Sequence, residues 1–185
     1  MKTKFILHGG FNSQNKEENN SDFYKEILKD APENALILLV PFAKEEDRIY
    51  LATQKVTLEL NRNKWQENIM VEIANEKEFL KQLQLVNIIY FHGGVSLKLL
   101  HTLKKYPALG EMLEGKTIAG ESAGANVLGK FFYSPHADNV FEGLGILPIK
   151  IIPHYKEEYV GKLDEVGLGL KTILLPEYTF KIYKI

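Results

Sequence analysis

The chain has 185 residues, of which 45% are apolar and 25% charged, a composition typical of a globular protein with a continuous core rather than a disordered or fibrous one. A net charge of −1 argues against a nucleic-acid-binding surface, and no apolar run is long enough to span a membrane. The absence of cysteine excludes disulfides, thiolate metal sites and cysteine nucleophiles. We expect one domain over residues 1–185, without a signal peptide, located in the cytoplasm as a monomer or homodimer.

Strand patterns alternate with helix patterns along most of the chain. The predicted strands are Phe5–Leu7, Ala35–Val40, Asn68–Val71, Val86–Phe91, Thr117–Ala119, Ile149–Ile152 and Thr172–Leu175. The predicted helices are Ser21–Lys29, Lys44–Asn61, Glu76–Leu85, Leu97–Tyr106 (capped by Ser96) and Ala125–Phe132, and residues 12–20 and 134–145 are predicted loops. This alternation predicts an α/β fold, a three-layer α/β/α sandwich around a mostly parallel sheet, with ligands beyond the carboxyl ends of the strands.

The segment Gly120-Glu-Ser-Ala-Gly124 has the form of a nucleophile elbow, because a serine between glycines stands at the junction of a buried strand and a helix. The tight turn requires small neighbouring residues and raises the Ser122 hydroxyl above the sheet edge. The following helix directs free N–H groups and partial positive charge at a developing oxyanion. At this point a strand–helix turn that is merely packed with small residues remains the alternative.

A serine hydroxyl needs a base to take its proton, and the base needs an orienting partner. Of the five histidines, His154 follows a predicted strand in Ile-Ile-Pro-His, and Glu177 follows the next predicted strand in Leu-Leu-Pro-Glu. His8 and His92 also end strands, beside glycine turns, and a structural role is expected for both. We therefore predict that Ser122, His154 and Glu177 are the catalytic residues, meeting along one edge of a single sheet.

The oxyanion formed in acyl transfer requires two hydrogen-bond donors. We expect one to be the backbone N–H of Ala123, directly after the nucleophile, and the other to come from Gly93-Gly94, where the missing Cβ atoms let substrate approach. Gly93 and Glu121 are expected to border the bound substrate. Three roles stay open for the Glu121 carboxylate: it orders the elbow, it raises the pKa of the base, or it points away from the site.

Four segments in this order resemble the signature blocks of the peptidase E and cyanophycinase family: His92-Gly-Gly-Val-Ser-Leu-Lys-Leu-Leu100, Gly120-Glu-Ser-Ala-Gly-Ala-Asn-Val127, Ile152-Pro-His-Tyr155 and Leu175-Pro-Glu177. The resemblance implies a serine peptidase on a class I glutamine amidotransferase-like (flavodoxin-like) fold. It implies that Ser122 is the nucleophile, His154 the general base and Glu177 its orienting residue. It also points to Gly94 and Ala123 as oxyanion donors. Glu121 stands where peptidase E has Trp, and Val95 where the family often has Asn.

The resemblance implies a substrate with an N-terminal aspartate or an aspartate-backbone polymer. Holding an aspartate side chain is easiest for arginine, yet the chain has only Arg48 and Arg62, neither in a signature block, so aspartate preference stays open. The predicted function is a dipeptidase or exopeptidase that hydrolyses small peptides through an acyl-enzyme and needs no cofactor. Two alternatives remain: a non-catalytic small-molecule binder or sensor on the same fold, and a metal site formed by His8, His92 and Glu121.

Overall fold

The structure, a computed structural model, describes residues 2–11, 20–64 and 68–185. The strands are β1 (Lys4–His8), β2 (Ala35–Val40), β3 (Ile69–Ile73), β4 (Ile88–Phe91), β5 (Thr117–Glu121), β6 (Gly129–Ser134), β7 (Asn139–Glu142), β8 (Leu147–Pro153), β9 (Lys171–Leu175) and β10 (Phe180–Lys184). The helices are α1 (Ser21–Leu28), α2 (Glu46–Asn63), α3 (Phe79–Leu85), α4 (Ser96–Leu103), α5 (Leu109–Met112) and α6 (Ala123–Leu128), and a 3-10 turn covers Glu157–Tyr159. The predicted loop over residues 12–20 lies outside the described residues, except for Asn20.

A six-stranded sheet in the order β10-β1-β5-β4-β2-β3 forms the centre of the fold. Strands β1 to β5 pair in parallel, and β10 pairs antiparallel with β1 at one edge. Helices cover both faces, so the predicted α/β class with a mostly parallel sheet is confirmed. The carboxyl ends of the parallel strands meet at one rim, which carries the glycine-rich and polar segments identified in the sequence.

Apolar side chains pack on both faces of this sheet because consecutive strand residues point to opposite sides. Ile6 belongs to a cluster with side chains of α1 and α2, whereas its neighbour Phe5 belongs to a larger cluster with side chains of α3 to α6. The strands are therefore apolar on both sides, as expected for buried parallel strands. Within the described part of the chain, no helix is both long enough and apolar enough to cross a membrane.

A second sheet of four strands, in the order β7-β6-β8-β9, corrects two sequence predictions. The predicted helix over 125–132 is wrong beyond Leu128, because Gly129 ends α6 and the aromatic run that follows it favours a strand. The predicted loop over 134–145 contains β7, which pairs antiparallel with β6. The strands that precede His154 and Glu177 belong to this second sheet, so the expectation of a single sheet is also wrong.

Further elements differ from the sequence prediction, among them the short helix α5, which was not predicted. Strand β10 was not predicted, because its short segment mixes lysines with apolar residues and forms a strand only by pairing with β1. Ser96 does not cap α4 but is its first residue, after Val95 at the cap position. The Ser96 hydroxyl instead accepts a hydrogen bond from the Asn126 amide at 3.0 Å, which joins α4 to α6.

Candidate active site

Ser122 lies at a strained turn between β5 and α6. Its φ of +50° is in the left-handed region that residues with a side chain rarely adopt. The flanking glycines make the turn possible, since a Cβ on Gly124 would lie 2.3 Å from the Phe91 carbonyl oxygen and one on Gly120 would lie 2.7 Å from the Gly124 backbone. The Ser122 N–H donates to the His8 carbonyl at 2.9 Å, which ties the turn to β1.

His154 and Glu177 reach Ser122 from the second sheet. Strands β8 and β9 run parallel and end level with each other, with Pro153 opposite Leu175, so the residues that follow them are neighbours. The distance from His154 Nε2 to Ser122 Oγ is 2.9 Å, and that from His154 Nδ1 to Glu177 Oε1 is also 2.9 Å. The structure thus brings the three predicted residues into one chain of hydrogen bonds.

Both side chains remain accessible to a substrate, with 36% of the His154 side chain and 37% of the Glu177 side chain exposed. His154 itself has a φ of +50°, a second strained position in the site. Its backbone N–H donates to the Gly9 carbonyl at 2.8 Å, and the next N–H, of Tyr155, donates to the Leu175 carbonyl at 3.0 Å. The imidazole is therefore positioned by contacts with both sheets.

The two predicted oxyanion donors lie on neighbouring strand ends. Ala123 is the first residue of α6, and N–H groups in the first turn of a helix have no intrahelical acceptor. Gly94 follows β4 with a φ of +144°, and a Cβ there would lie 2.3 Å from the Ala43 carbonyl oxygen. That same oxygen accepts a hydrogen bond from the Val95 N–H at 2.9 Å, so the loop is fixed against the segment after β2. Only glycine fits this conformation.

Glu121 is buried, with 7% of the residue exposed, and its Oε2 accepts a hydrogen bond from the Tyr90 hydroxyl at 2.6 Å. A Cβ on Gly93 would lie 2.7 Å from the other carboxylate oxygen, so Glu121 packs directly under the glycine loop. Burial and the nearby carboxylate raise the pKa of Tyr90 well above its usual value, which keeps the hydroxyl a donor. The structure favours a role in ordering the elbow and the glycine loop; contact of Glu121 or Gly93 with substrate stays a prediction.

Sequence reasoning placed His8-Gly-Gly at the rim, where His8 could border the site, but it did not predict a contact between Gly10 and His154. Gly10, with a φ of +91°, packs against the face of His154, and a Cβ there would lie 2.3 Å from His154 Nε2. The available signal was His8-Gly-Gly at a strand end, a pattern that occurs again at His92-Gly-Gly. That pattern identified the rim but not its contact with a histidine more than 140 residues away.

The remaining histidines at the rim do not form a metal centre. Among the residues that the structure describes, no group of three or more histidine or carboxylate side chains is placed to hold a metal ion. Both ring nitrogens of His8 have protein partners, the Gly10 N–H and Asn20 Oδ1. The proposed set of His8, His92 and Glu121 is therefore not supported by the geometry.

Comparison with known proteins finds a matching family and two similar folds. The model of peptidase family S51 matches residues 5–165, a range that includes Ser122 and His154 and stops before Glu177. The fold resembles a peptidase from an acI-B1 Actinobacterium (TM-score 0.70, 22% identity, covering 99% of this chain and 84% of the other). It also resembles a protein from Listeria monocytogenes EGD-e that is provisionally named peptidase E (TM-score 0.65, 16% identity, covering 100% and 98%). No curated protein sequence matches the chain.

Proposed function

The chain belongs to peptidase family S51 and is a serine-type peptidase, and we propose that Ser122, His154 and Glu177 are its catalytic triad. The observation that carries the proposal is the unbroken hydrogen-bond chain, 2.9 Å at each link, between three residues that come from two different sheets. A strained serine backbone beside two glycine-dependent turns adds to this argument, because such strain persists mainly at functional sites.

The geometry supports acyl transfer in two steps. With its proton on Nδ1, His154 donates to Glu177 and accepts from the Ser122 hydroxyl, so Oγ attacks the scissile carbonyl carbon as its proton passes to Nε2. The N–H groups of Gly94 and Ala123 hold the resulting oxyanion. The tetrahedral intermediate collapses as His154 gives the proton to the leaving amine. Water then attacks the acyl-enzyme with His154 again as base, which releases the acid and restores Ser122.

We propose short peptides as substrates, from the resemblance to peptidase E and the provisional name of the Listeria relative in fold. A preference for N-terminal aspartate would need a cation near the site. Cations near the start of elements at this rim include Lys44, in the loop after β2, Arg48, in the first turn of α2, and Lys98, in the first turn of α4, which is paired with Glu45 at 3.1 Å. Arg62, at the far end of α2, is instead paired with Glu59 at 2.7 Å.

The test is hydrolysis of a dipeptide library that varies the N-terminal residue, with Ser122→Ala and Glu177→Gln compared to the wild-type protein. We expect Ser122→Ala to lower kcat by at least about 10³-fold and Glu177→Gln by about 10² to 10⁴-fold, because each removes one member of a unit that acts together. Glu158→Gln is the matched control, since Glu158 lies on an exposed turn, with a loose ion pair to Lys156 at 3.9 Å and a hydrogen bond to Tyr159 that a glutamine amide can keep.

Two outcomes would contradict the proposal. Turnover that survives Ser122→Ala would remove the nucleophile assignment. A wild-type protein that cleaves neither the dipeptides nor an activated ester would favour the alternative of a non-catalytic binder.

The same library tests the aspartate preference. Rates that are selectively higher for peptides with N-terminal aspartate, and that fall for those peptides in Lys44→Met, would assign the aspartate preference to Lys44.

A further inference from the structure

Three consecutive carbonyl groups at the end of β1 each hold one segment of the proposed triad. The His8 carbonyl accepts from the Ser122 N–H at 2.9 Å, and the Gly9 carbonyl accepts from the His154 N–H at 2.8 Å. The Gly10 carbonyl accepts from the N–H of Tyr178, directly after Glu177, at 2.9 Å. The path of the backbone from His8 to Gly10 therefore fixes the backbone positions from which all three catalytic side chains extend.

The side chain of His8 fixes that path. His8 is fully buried, and its Nδ1 accepts a hydrogen bond from the Gly10 N–H at 3.0 Å. Its Nε2 lies 3.0 Å from Asn20 Oδ1. Because a backbone N–H can only donate, Nδ1 must be unprotonated, so the neutral ring carries its proton on Nε2 and donates to Asn20. The geometry thus selects one tautomer and excludes the imidazolium.

The electrostatics of the pocket favour the same neutral form. Burial is the main cause that lowers the pKa of His8 to about 4; the Asn20 hydrogen bond opposes this shift, and the charge of a protonated His154 adds to it. The ring also packs against Phe23, with 4.3 Å between ring centroids, which restricts its rotation. His8 is held in one orientation, with its acceptor nitrogen facing Gly10.

We propose that His8 is a positioning residue of this peptidase, which holds Gly10 against His154 and thereby sets the imidazole at hydrogen-bond distance from Ser122. Gly10 is the link, because its Cα lies directly against the His154 ring, so that even a methyl group there would overlap Nε2. The inference rests on the proposed triad. It assigns to His8 a role in positioning His154 that does not require His8 to contact the substrate.

The test compares two amides at position 8. The Oδ1 of His8→Asn takes the place of Nδ1 and accepts from the N–H two residues ahead, as asparagine does in an Asx-turn. His8→Gln places its amide near the position of Nε2, so it can reach Asn20 but offers no acceptor to Gly10. His101→Gln, on the exposed face of α4, is the matched control. The readout is kcat and KM for p-nitrophenyl acetate, with thermal unfolding as the check of folding.

We expect His8→Gln to lower kcat by about 10 to 10²-fold, with KM within about threefold, because a small misplacement of a catalytic group costs this much. His8→Asn should recover most of the lost kcat. Equal losses in the two variants, or no loss in His8→Gln, would overturn the proposal. If Ser122→Ala leaves activity intact, the triad itself fails, whereas full activity of His8→Gln beside an inactive Ser122→Ala contradicts only the role of His8.

A second measurement uses the wild-type protein and does not depend on how the variants fold. Long-range proton–nitrogen NMR spectra of the histidine rings distinguish a bare Nδ1 from a protonated one. We expect His8 to be the neutral tautomer with the proton on Nε2 at pH 6 to 8. A proton on Nδ1, or an imidazolium at pH 6, is incompatible with the Gly10 hydrogen bond and would overturn the assignment.

Discussion

At the scale of single residues, the site depends on positions where a side chain would be too large. Three backbone segments pass within contact distance of one another around Ser122, and glycine stands at each closest approach. The strained backbone at Ser122 and His154 persists because the N–H groups of both residues donate hydrogen bonds to carbonyl groups at the end of β1. Small changes at these positions are therefore expected to affect the rate more than the stability.

Gly10→Ala is the sharpest test of this argument. The added Cβ would lie 2.3 Å from His154 Nε2 at a φ of +91°, so the imidazole must move away from Ser122. We expect kcat to fall by about 10²-fold or more. Gly110→Ala, with open space around the new Cβ, is the control and should leave kcat unchanged. Equal activity of the two variants would contradict the packing of Gly10 on His154.

At the scale of elements, the second sheet decides where His154 and Glu177 lie. Its strands β8 and β9 are joined by the segment 154–170, which carries His154 at its start. Lys150 points from β8 under this segment, where its buried ammonium donates to the Leu163 carbonyl at 2.8 Å and to the Val166 carbonyl at 3.1 Å. A lysine in the middle of a strand thus holds the connection between the strands that precede His154 and Glu177.

Lys150→Met tests how much these two hydrogen bonds contribute to stability. It keeps the apolar stem but leaves two carbonyl groups without the ammonium, and we expect the free energy of unfolding to fall by about 2 kcal/mol. Urea unfolding measures the change. Lys171→Met, at an exposed position on β9, is the control and should change stability little. A Lys150→Met variant as stable as the wild-type protein would show that water replaces the ammonium without cost.

At the scale of the whole molecule, two buried histidines make stability depend on pH. Burial is the main cause that lowers the pKa of His8 to about 4 and that of His92 to about 3, where the charge of Lys44 adds to the effect. Unlike His8, His92 has an Nε2 without a hydrogen-bond partner among the described residues. Both rings are neutral in the folded chain and take up protons near pH 6.5 when it unfolds.

Because the unfolded chain binds more protons below pH 6.5, stability should be fully present above that pH and fall as the pH decreases towards 4. We expect a loss on the order of 2 kcal/mol for each histidine between pH 7 and 5. Urea unfolding across this range measures the slope, and His92→Leu should reduce it by about half. A slope that His92→Leu leaves unchanged would contradict the buried, neutral state of His92.

Much of the fold was predictable because its signals are local. The alternation of β1 to β5 with helices follows from runs of apolar residues that are interrupted by glycine and proline. The position of Ser122 at a tight turn follows from the small residues that such a turn requires on either side. The main errors lie at 129–145, where β6 and β7 pair with each other in the second sheet, and at 180–184, where β10 pairs with the distant β1. Pairing energy comes from the partner strand, so it leaves little trace in the segment itself.

The sequence by itself determined the fold class and led to Ser122, His154 and Glu177 as the proposed triad, since strand ends, prolines and glycines are encoded within a few positions. Only the tertiary structure decided that His154 and Glu177 approach from a second sheet, that Glu121 is buried against Tyr90, and that Gly10 lies between the rings of His8 and His154. Each of these depends on the register between segments far apart in the chain, which the packing of the whole core sets.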